Sequence, residues 1–109
     1  SKIQIALGKI GCRMFRNQVG TYRLKDGRVI SSGLCKGSSD LIGITPYKIK
    51  NSDVGKVIGI FTAVEVKTPG GRVRKMQENF INFVRATGGI AMISHDVESP
   101  VQRIKALVS

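Results

Sequence analysis

The chain has little of the residue types from which zinc sites and disulfide-rich folds are built. Its 109 residues include two cysteines and one histidine, and neither Cys12 nor Cys35 stands at a CxxC or Cys/His spacing. These residues are too few and too widely spaced for a zinc site. A bridge between the cysteines stays open from sequence alone, but we expect both to be reduced and structural, as is usual in cytoplasmic proteins.

Tryptophan is absent and aromatic residues make up only 6% of the chain, which argues against a row of stacking platforms for single-stranded bases. No apolar run approaches the 18 or more residues of a membrane span, and the N-terminus lacks the pattern of a signal peptide. These absences predict a cytoplasmic protein with no membrane partner.

Acidic residues are scarce as well, since seven Asp and Glu face 18 Lys and Arg, for a net charge of +11. A charge of this size attracts polyanions, so nucleic acid is the first partner to consider and an acidic membrane surface the weaker alternative. The hydrophobic fraction of 41% is that of a folded protein. The length predicts one domain over residues 1–109.

The first half of the chain predicts a helix, a hairpin and a short strand. Apolar residues recur at helical spacing through the first fifteen residues, which we therefore interpret as a helix. Asp26 and Gly27 lie between two short strand-like runs, a typical hairpin signal. Asp40–Ile44 is apolar on both faces and is followed by Pro46, which predicts a short strand largely inside the protein.

The second half predicts a strand, a helix, a strand and a helix. The run Val57–Lys67 has apolar residues on both faces, as in a central strand. Thr68–Gly71 is expected to form a turn, followed by a helix that ends at Gly88 and Gly89. Ile90–Ile93 is expected to form a strand. Ser99 with Pro100 is typical of a helix start. The predicted order is αββββαβα, an α/β fold.

Asp40 and Glu65 interrupt apolar segments, where an unpaired carboxylate costs several kcal/mol. A divalent cation would compensate for this cost, because Mg²⁺ takes one or two carboxylates with waters and substrate phosphate. The plainer alternative is that Asp40 caps a turn and Glu65 pairs with a surface lysine. A Glu-x-Lys triplet such as 65–67 is itself common, occurring by chance in roughly one chain in three of this length.

Two further polar residues accompany these acids. Lys67 lies two positions after Glu65 and so on the same face of a strand. Gln77 falls in the middle of the apolar stripe of the predicted helix, where a buried amide must find partners. The Gln77 amide could bond a strand-end carbonyl, and it could orient Lys67, a water or the metal shell; the two roles can overlap. His95 lies in a polar segment with no obvious partner, and we interpret it as a solvated loop residue.

Together these residues resemble the VRR-NUC family of the PD-(D/E)xK nuclease superfamily, over most of the chain. The segments 17–20 and 26–28 also resemble small stand-alone members from phages and bacteria. The motifs that carry the resemblance are Gly37-Ser38-Ser39-Asp40-Leu41-Ile42-Gly43, then Glu65-Val66-Lys67, then Gly71-Arg72 and Gln77 with Phe80.

The resemblance implies a mixed central β-sheet flanked by helices, a restriction-endonuclease-like core without long insertions. It also implies that Asp40 and Glu65 bind Mg²⁺ or Mn²⁺, with the Val66 backbone carbonyl as a further ligand. Lys67 would position or help deprotonate the attacking water, and Gln77 would lie near the active site. No small-molecule cofactor is expected.

Substrate and assembly follow from the same resemblance. The stand-alone members resemble junction-resolving enzymes, which implies a homodimer that cleaves branched DNA such as four-way (Holliday) junctions in a bacterial cell, encoded by the bacterium or a phage. Cationic and small polar residues on the expected loops would hold the DNA backbone. The predicted DNA-binding residues are Lys36, Ser38, Ser39, Arg72, Arg74 and Lys75.

One position departs from the family pattern. Members often carry a Glu in the first helix just before an Ile-Gln pair, whereas here Ser1 and Lys2 precede Ile3 and Gln4. Gln4 is only a weak substitute for this acid, which puts that part of the metal shell in doubt.

Two other functions compete with a structure-selective nuclease. A non-catalytic DNA-binding or architectural module would use the same positive charge, with the acids serving only structure. A sequence-specific restriction-type nuclease ranks lower, because so small a chain has little material for reading the major groove.

Overall fold

The computed structural model describes residues 1–109, which form two compact units, Ser1–Tyr47 and Lys48–Ser109. The chain is mixed α/β, as predicted, but its six strands pair in three two-stranded sheets rather than in one central sheet. The elements are α1 (Lys2–Lys9), β1 (Arg13–Arg16), β2 (Gly20–Arg23), β3 (Val29–Ser32), β4 (Leu41–Ile44), a 3₁₀ turn (Asn51–Asp53), β5 (Thr62–Val66), α2 (Lys75–Ala86), β6 (Ile90–Ser94) and α3 (Glu98–Val108).

The first helix is shorter than predicted, and the strand after it was not predicted. α1 ends at Lys9 because Gly11 adopts a left-handed φ of +97° and the amide of Cys12 turns back to the carbonyl of Leu7. The helical spacing of apolar residues continues to Met14, but the helix itself ends five residues earlier, at Lys9. Met14 lies in β1, which pairs with β4 in antiparallel register.

The β1–β4 pair and the segment before β1 contain the buried residues of the first unit, Cys12 and Ile44. Gly43 faces Met14 across this pair, and a Cβ at position 43 would lie 2.0 Å from the carbonyl oxygen of Arg13. Two backbones can approach this closely only where one of them carries no side chain. Gly43 is therefore required by packing.

The predicted hairpin is confirmed, with β2 and β3 in antiparallel register from Gly20↔Ser32 to Arg23↔Val29. Gly27 supplies the left-handed φ of +89° that the connection needs. Asp26 accepts hydrogen bonds from the backbone N–H and the guanidinium of Arg28. The turn is thus stabilised by its own residues.

The second unit is built on a strand-helix-strand crossover in which β5 and β6 run parallel and α2 packs against both. Its core consists of Ile81 and Val84 from α2 and Ala91 and Met92 from β6. α2 ends where the N–H of Gly89 reaches the carbonyl of Val84.

The prediction of a long central strand over Val57–Lys67 was wrong in extent and in environment. β5 begins only at Thr62, pairs on one edge with β6, and is covered by α2 on one face. Val64 and Val66, which were expected in the core, are 38% and 77% exposed. The protected face carries Ala63, Glu65 and Lys67 instead, because alternate residues of a strand point to opposite sides.

The two later helices also differ from prediction at their N-terminal ends. α2 begins at Lys75, two residues after Val73, where the predicted apolar stripe starts. α3 begins at Glu98, two residues before Pro100, which was expected to follow an N-cap at Ser99. The start of α3 is held by Asp96, whose carboxylate accepts from the backbone N–H and the hydroxyl of Ser99. No helix is both long enough and apolar enough to cross a membrane.

Gly43→Ala should destabilise the first unit by about 1–3 kcal/mol, since the added methyl group must separate β1 from β4. Chemical denaturation followed by circular dichroism measures the change. Gly8→Ala is the matched control, because Gly8 lies in α1 with nothing near its Cβ position and alanine favours helix. Equal stability of the Gly43→Ala variant and the wild type would contradict the close approach.

The hydrogen bonds from Ser99 lower the pKa of Asp96 from its ordinary value of 3.8. A carboxylate with a lowered pKa in the folded state stabilises the fold fully above the unfolded value, and this contribution is lost as the pH falls through the folded value. We therefore expect Asp96→Ala to lower the Tm at pH 7, and the difference from wild type to narrow below pH 4.

Thermal unfolding between pH 7 and pH 2.5 tests this prediction. Asp96→Asn is the control, because it keeps an acceptor for Ser99 but does not titrate. A difference between Asp96→Ala and wild type that stays constant over the whole range would show that the ionised cap contributes nothing.

Candidate active site

Glu65 and Lys67 lie side by side at the end of β5. Glu65 is the fourth residue of the strand, and the N–H of Lys67 continues the pairing by donating to the carbonyl of Ser94. The ammonium nitrogen of Lys67 lies 3.3 Å from Oε1 of Glu65, with the two side chains 14% and 33% exposed. The acid and the amine therefore form a partly shielded ion pair.

Gln77 joins this pair from the first turn of α2. Its Nε2 donates to Oε1 of Glu65 at 2.7 Å, while its Oε1 accepts from the backbone N–H of Arg74 at 3.0 Å. The amide thus ties the start of α2 to the carboxylate on β5. The partners of this amide are a carboxylate and a backbone N–H, not the strand-end carbonyl considered from sequence.

All the partners of the Glu65 carboxylate meet one of its oxygens. Lys67 and Gln77 both approach Oε1, and Oε2 accepts no hydrogen bond. An open cleft of about 410 Å³ adjoins the carboxylate between β5 and α2. Its wall also includes Met76 and Phe80. The arrangement fixes the carboxylate through one oxygen while the other stays available to a ligand.

Asp40 lies in the first unit, directly before β4, and is exposed. Its carboxylate makes no hydrogen bond or ion pair, so it does not cap a turn as the plainer interpretation supposed. Its backbone carbonyl accepts from the N–H of Asn17 at 2.8 Å. Asp40 also lines an open cleft of about 650 Å³ within its own unit, together with Arg16, Asn17 and Gln18. The structure thus groups Glu65, Lys67 and Gln77 in one unit and places Asp40 in the other.

Most of the predicted DNA-binding residues are exposed. Lys36 and Ser39 lie in the loop before Asp40, and Arg72 and Arg74 lie between β5 and α2. Lys75 is the first residue of α2, with its ammonium 4.0 Å from Glu78.

Ser38 is placed differently from the other predicted DNA-binding residues. Its hydroxyl donates to the carbonyl of Cys35 and accepts from Asn17 and from the N–H of Cys35. A hydroxyl has one donor and two acceptor sites, and all three are used inside the loop.

Four residues singled out from sequence have other surroundings. Gln4 donates to the carbonyl of Met14, so its amide nitrogen serves the packing of α1 on β1. Cys12 is buried with its sulfur 3.5 Å from the hydroxyl of Thr45, whereas Cys35 is exposed, and both thiols are free. His95 is exposed in the segment after β6, as expected.

Asn17 is the polar residue whose role the sequence did not predict. It entered the sequence analysis only as part of the segment 17–20, yet its side chain makes three hydrogen bonds to the loop before Asp40. An asparagine close to glycine usually signals a turn, which concealed the contact with a segment some twenty residues away.

Each of the two units carries a carboxylate of the type that a hard cation prefers. No group of three or more His, Cys, Asp or Glu side chains forms a closed metal cage. Mg²⁺ does not need one, because it commonly uses one or two carboxylates and fills its other positions with water and phosphate oxygens. The unpaired Oε2 of Glu65 and the unpaired carboxylate of Asp40 are donors of this type.

Comparison with known protein families gives one finding. A family model described as the VRR-NUC domain matches residues 25–96, more than half of the chain. The matched segment contains Asp40, Glu65, Lys67 and Gln77. Searches of curated proteins and of solved structures found no match.

Gln77→Ala should lower the free energy of unfolding of the second unit by about 1–2 kcal/mol, because it removes the bond to a charged carboxylate and the acceptor for the Arg74 N–H. Denaturant titration measures the change. Asn79→Ala, an exposed position on the same helix, should stay within about 0.5 kcal/mol of wild type.

Gln77→Glu distinguishes the contribution of the bond to Glu65 from that of the bond to the Arg74 N–H. It keeps an acceptor for the Arg74 N–H and suits a helix N-terminus, but it places a second carboxylate beside Glu65. We expect this variant to be less stable than wild type at pH 7. Stability equal to or above wild type would mean that the bond between Gln77 and Glu65 contributes nothing.

Proposed function

Because the chain belongs to the VRR-NUC family of nucleases, we propose that it is a Mg²⁺- or Mn²⁺-dependent endodeoxyribonuclease that cleaves branched DNA such as four-way (Holliday) junctions. The family indicates a nuclease with DNA as its substrate. The observation that supports a catalytic rather than a structural role is the grouping of Glu65, Lys67 and Gln77 around one carboxylate, with Oε2 left unpaired.

Glu65 and Asp40 are the proposed carboxylate ligands, with the backbone carbonyl of Val66 as a third. The geometry around Glu65 supports its role as a ligand, because a carboxylate held through Oε1 keeps Oε2 in a fixed position. Support for Asp40 comes from its unpaired carboxylate and its place in the family motif. When bound, the cation would activate a water molecule and stabilise the leaving oxygen.

Lys67 is the proposed electrostatic partner of the reacting phosphate. Its ammonium group is already held beside Glu65, so its charge does not have to be repositioned as the phosphorane forms. Gln77 acts through Glu65, whose orientation it fixes, and is a positioning residue rather than a group that touches DNA.

The reaction is hydrolysis of a phosphodiester. The oxygen of water bonds to phosphorus, the bond from phosphorus to the 3′ oxygen breaks, and one proton from the water ends on that oxygen. The products are a 5′-phosphate and a 3′-hydroxyl.

The DNA contacts are proposed for the exposed cations. Four predicted residues carry positive charge and lie close to the proposed ligands in the sequence: Lys36, Arg72, Arg74 and Lys75. They would contact the phosphates of the DNA backbone. Ser39 would add a hydroxyl contact. Ser38, whose hydroxyl is fully bonded, would act by holding the loop in shape.

A homodimer is proposed as the active form, because two sites are needed to cut both strands of a junction. Val54 and Val57, three residues apart in one loop, are 84% and 98% exposed. A second copy of the chain is the proposed occupant of this apolar surface.

A non-catalytic DNA-binding module is the second candidate. The observation in its favour is that Lys67 and Glu65 neutralise each other, as a purely structural pair would. Cation binding and cleavage distinguish the two candidates.

Cleavage of a four-way junction, compared with a linear duplex of the same sequence, tests the proposal. With Mg²⁺ or Mn²⁺ the wild type should cut the junction faster, and chelation should stop it. Glu65→Ala and Lys67→Ala should each reduce the rate roughly 100-fold or more, since each removes a group that acts on the transition state.

The control variants are Glu98→Ala and Lys105→Ala, an exposed acid and an exposed lysine of α3 in the same unit. Both should cut like the wild type. Undiminished cutting by Glu65→Ala and Lys67→Ala would rule out this site, and tight DNA binding without cleavage in any cation would favour the non-catalytic module.

A further inference from the structure

The loop 33–39 leads directly into Asp40, and it contains no helix or strand. Gly33 and Gly37 within it adopt left-handed φ values of +83° and +87°. Such a segment has many accessible conformations, so the direction in which it delivers Asp40 depends on contacts that hold it.

One side chain outside the loop makes three hydrogen bonds to it. Nδ2 of Asn17 donates to the hydroxyl of Ser38 at 2.7 Å and to the carbonyl of Ser39 at 2.8 Å. Its Oδ1 accepts from the N–H of Leu34 at 2.8 Å. The amide therefore binds the loop near its start and at its end.

Asn17 is itself anchored. It follows the last residue of β1, and its N–H donates to the carbonyl of Asp40, which continues the β1–β4 ladder by one bond. The backbone of Asn17 thus fixes the position of Asp40, while its side chain fixes the loop that precedes it.

The chemistry of the site requires an amide of this length. Two donors and one acceptor are used at once, which a carboxylate cannot supply because it has no donor, and a hydroxyl has only one. A glutamine carries the same groups one methylene further out. Asparagine is the side chain that meets all three partners from this backbone position.

We infer that Asn17 is a positioning residue for Asp40, because it holds the backbone from which the Asp40 carboxylate would reach a divalent cation. The inference rests on the proposed function, because it takes Asp40 as a cation ligand. Asn17 lies outside the segment matched by the family model, residues 25–96. Residues that orient a metal ligand typically change metal affinity or activity 10- to 100-fold when removed.

The test measures Mn²⁺ binding to the DNA-free protein by electron paramagnetic resonance. Asn17→Ala should weaken binding roughly tenfold. Ser38→Ala, a milder change at the other end of the network, should weaken it by less. Asp40→Ala defines complete loss of this ligand, and Asn79→Ala is the matched control, expected to bind like wild type.

Hydrogen exchange of the metal-free protein provides a second readout. The N–H of Leu34 is bonded to Oδ1 of Asn17, so its exchange should accelerate in Asn17→Ala and stay slow in Asn17→Asp, which keeps an acceptor. Thermal unfolding separates this effect from general destabilisation.

Unchanged Mn²⁺ affinity in folded Asn17→Ala, with or without a lower Tm, would overturn the inference and leave the proposed nuclease intact. Unchanged exchange of Leu34 would overturn it as well. Wild-type Mn²⁺ binding that depends on Asp40 and Asn17, without cleavage of any DNA, would support the positioning role and refute the nuclease. Absence of Mn²⁺ binding in the wild type would refute both.

Discussion

The parallel pairing of β5 with β6 under α2 is the constraint on which the candidate active site depends. The register from Thr62↔Ile90 to Val66↔Ser94 sets which residues of β5 face the helix. Ile81 and Val84 of α2 are buried in the core that this pair forms, and that packing brings the first turn of the helix to the strand end. The polar contacts at Glu65 therefore depend on apolar packing next to them.

The contacts at Glu65 show how a polar group is accommodated beside a core. An acid on the covered face of a strand would be costly alone, but here one oxygen meets both an ammonium and an amide. The amide also satisfies a backbone N–H at the start of α2, so one side chain serves the helix and the acid together. Gln77, which interrupts the apolar stripe of α2, is therefore part of both the fold and the candidate site.

Much of the site was accessible from sequence because its residues are close along the chain. Glu65 and Lys67 share a face through strand alternation, which local periodicity predicted. The place of Gln77 near them was implied by the family resemblance. The hairpin at Asp26 and the strand β6 followed from equally local signals. Asn17 was missed because its partners are some twenty residues away, and no local pattern encodes such a contact.

The amino-acid sequence by itself determined the family, the mixed α/β class, the positive charge and the identity of the polar residues at the ends of strands, since these depend on composition and short-range spacing. Only the tertiary structure decided that α1 stops before β1, that Val64 and Val66 face outward while Glu65 faces α2, and that Asn17 holds the loop before Asp40. The reason is that burial and hydrogen-bond partners depend on which surfaces meet, and residues distant in the chain supply those surfaces.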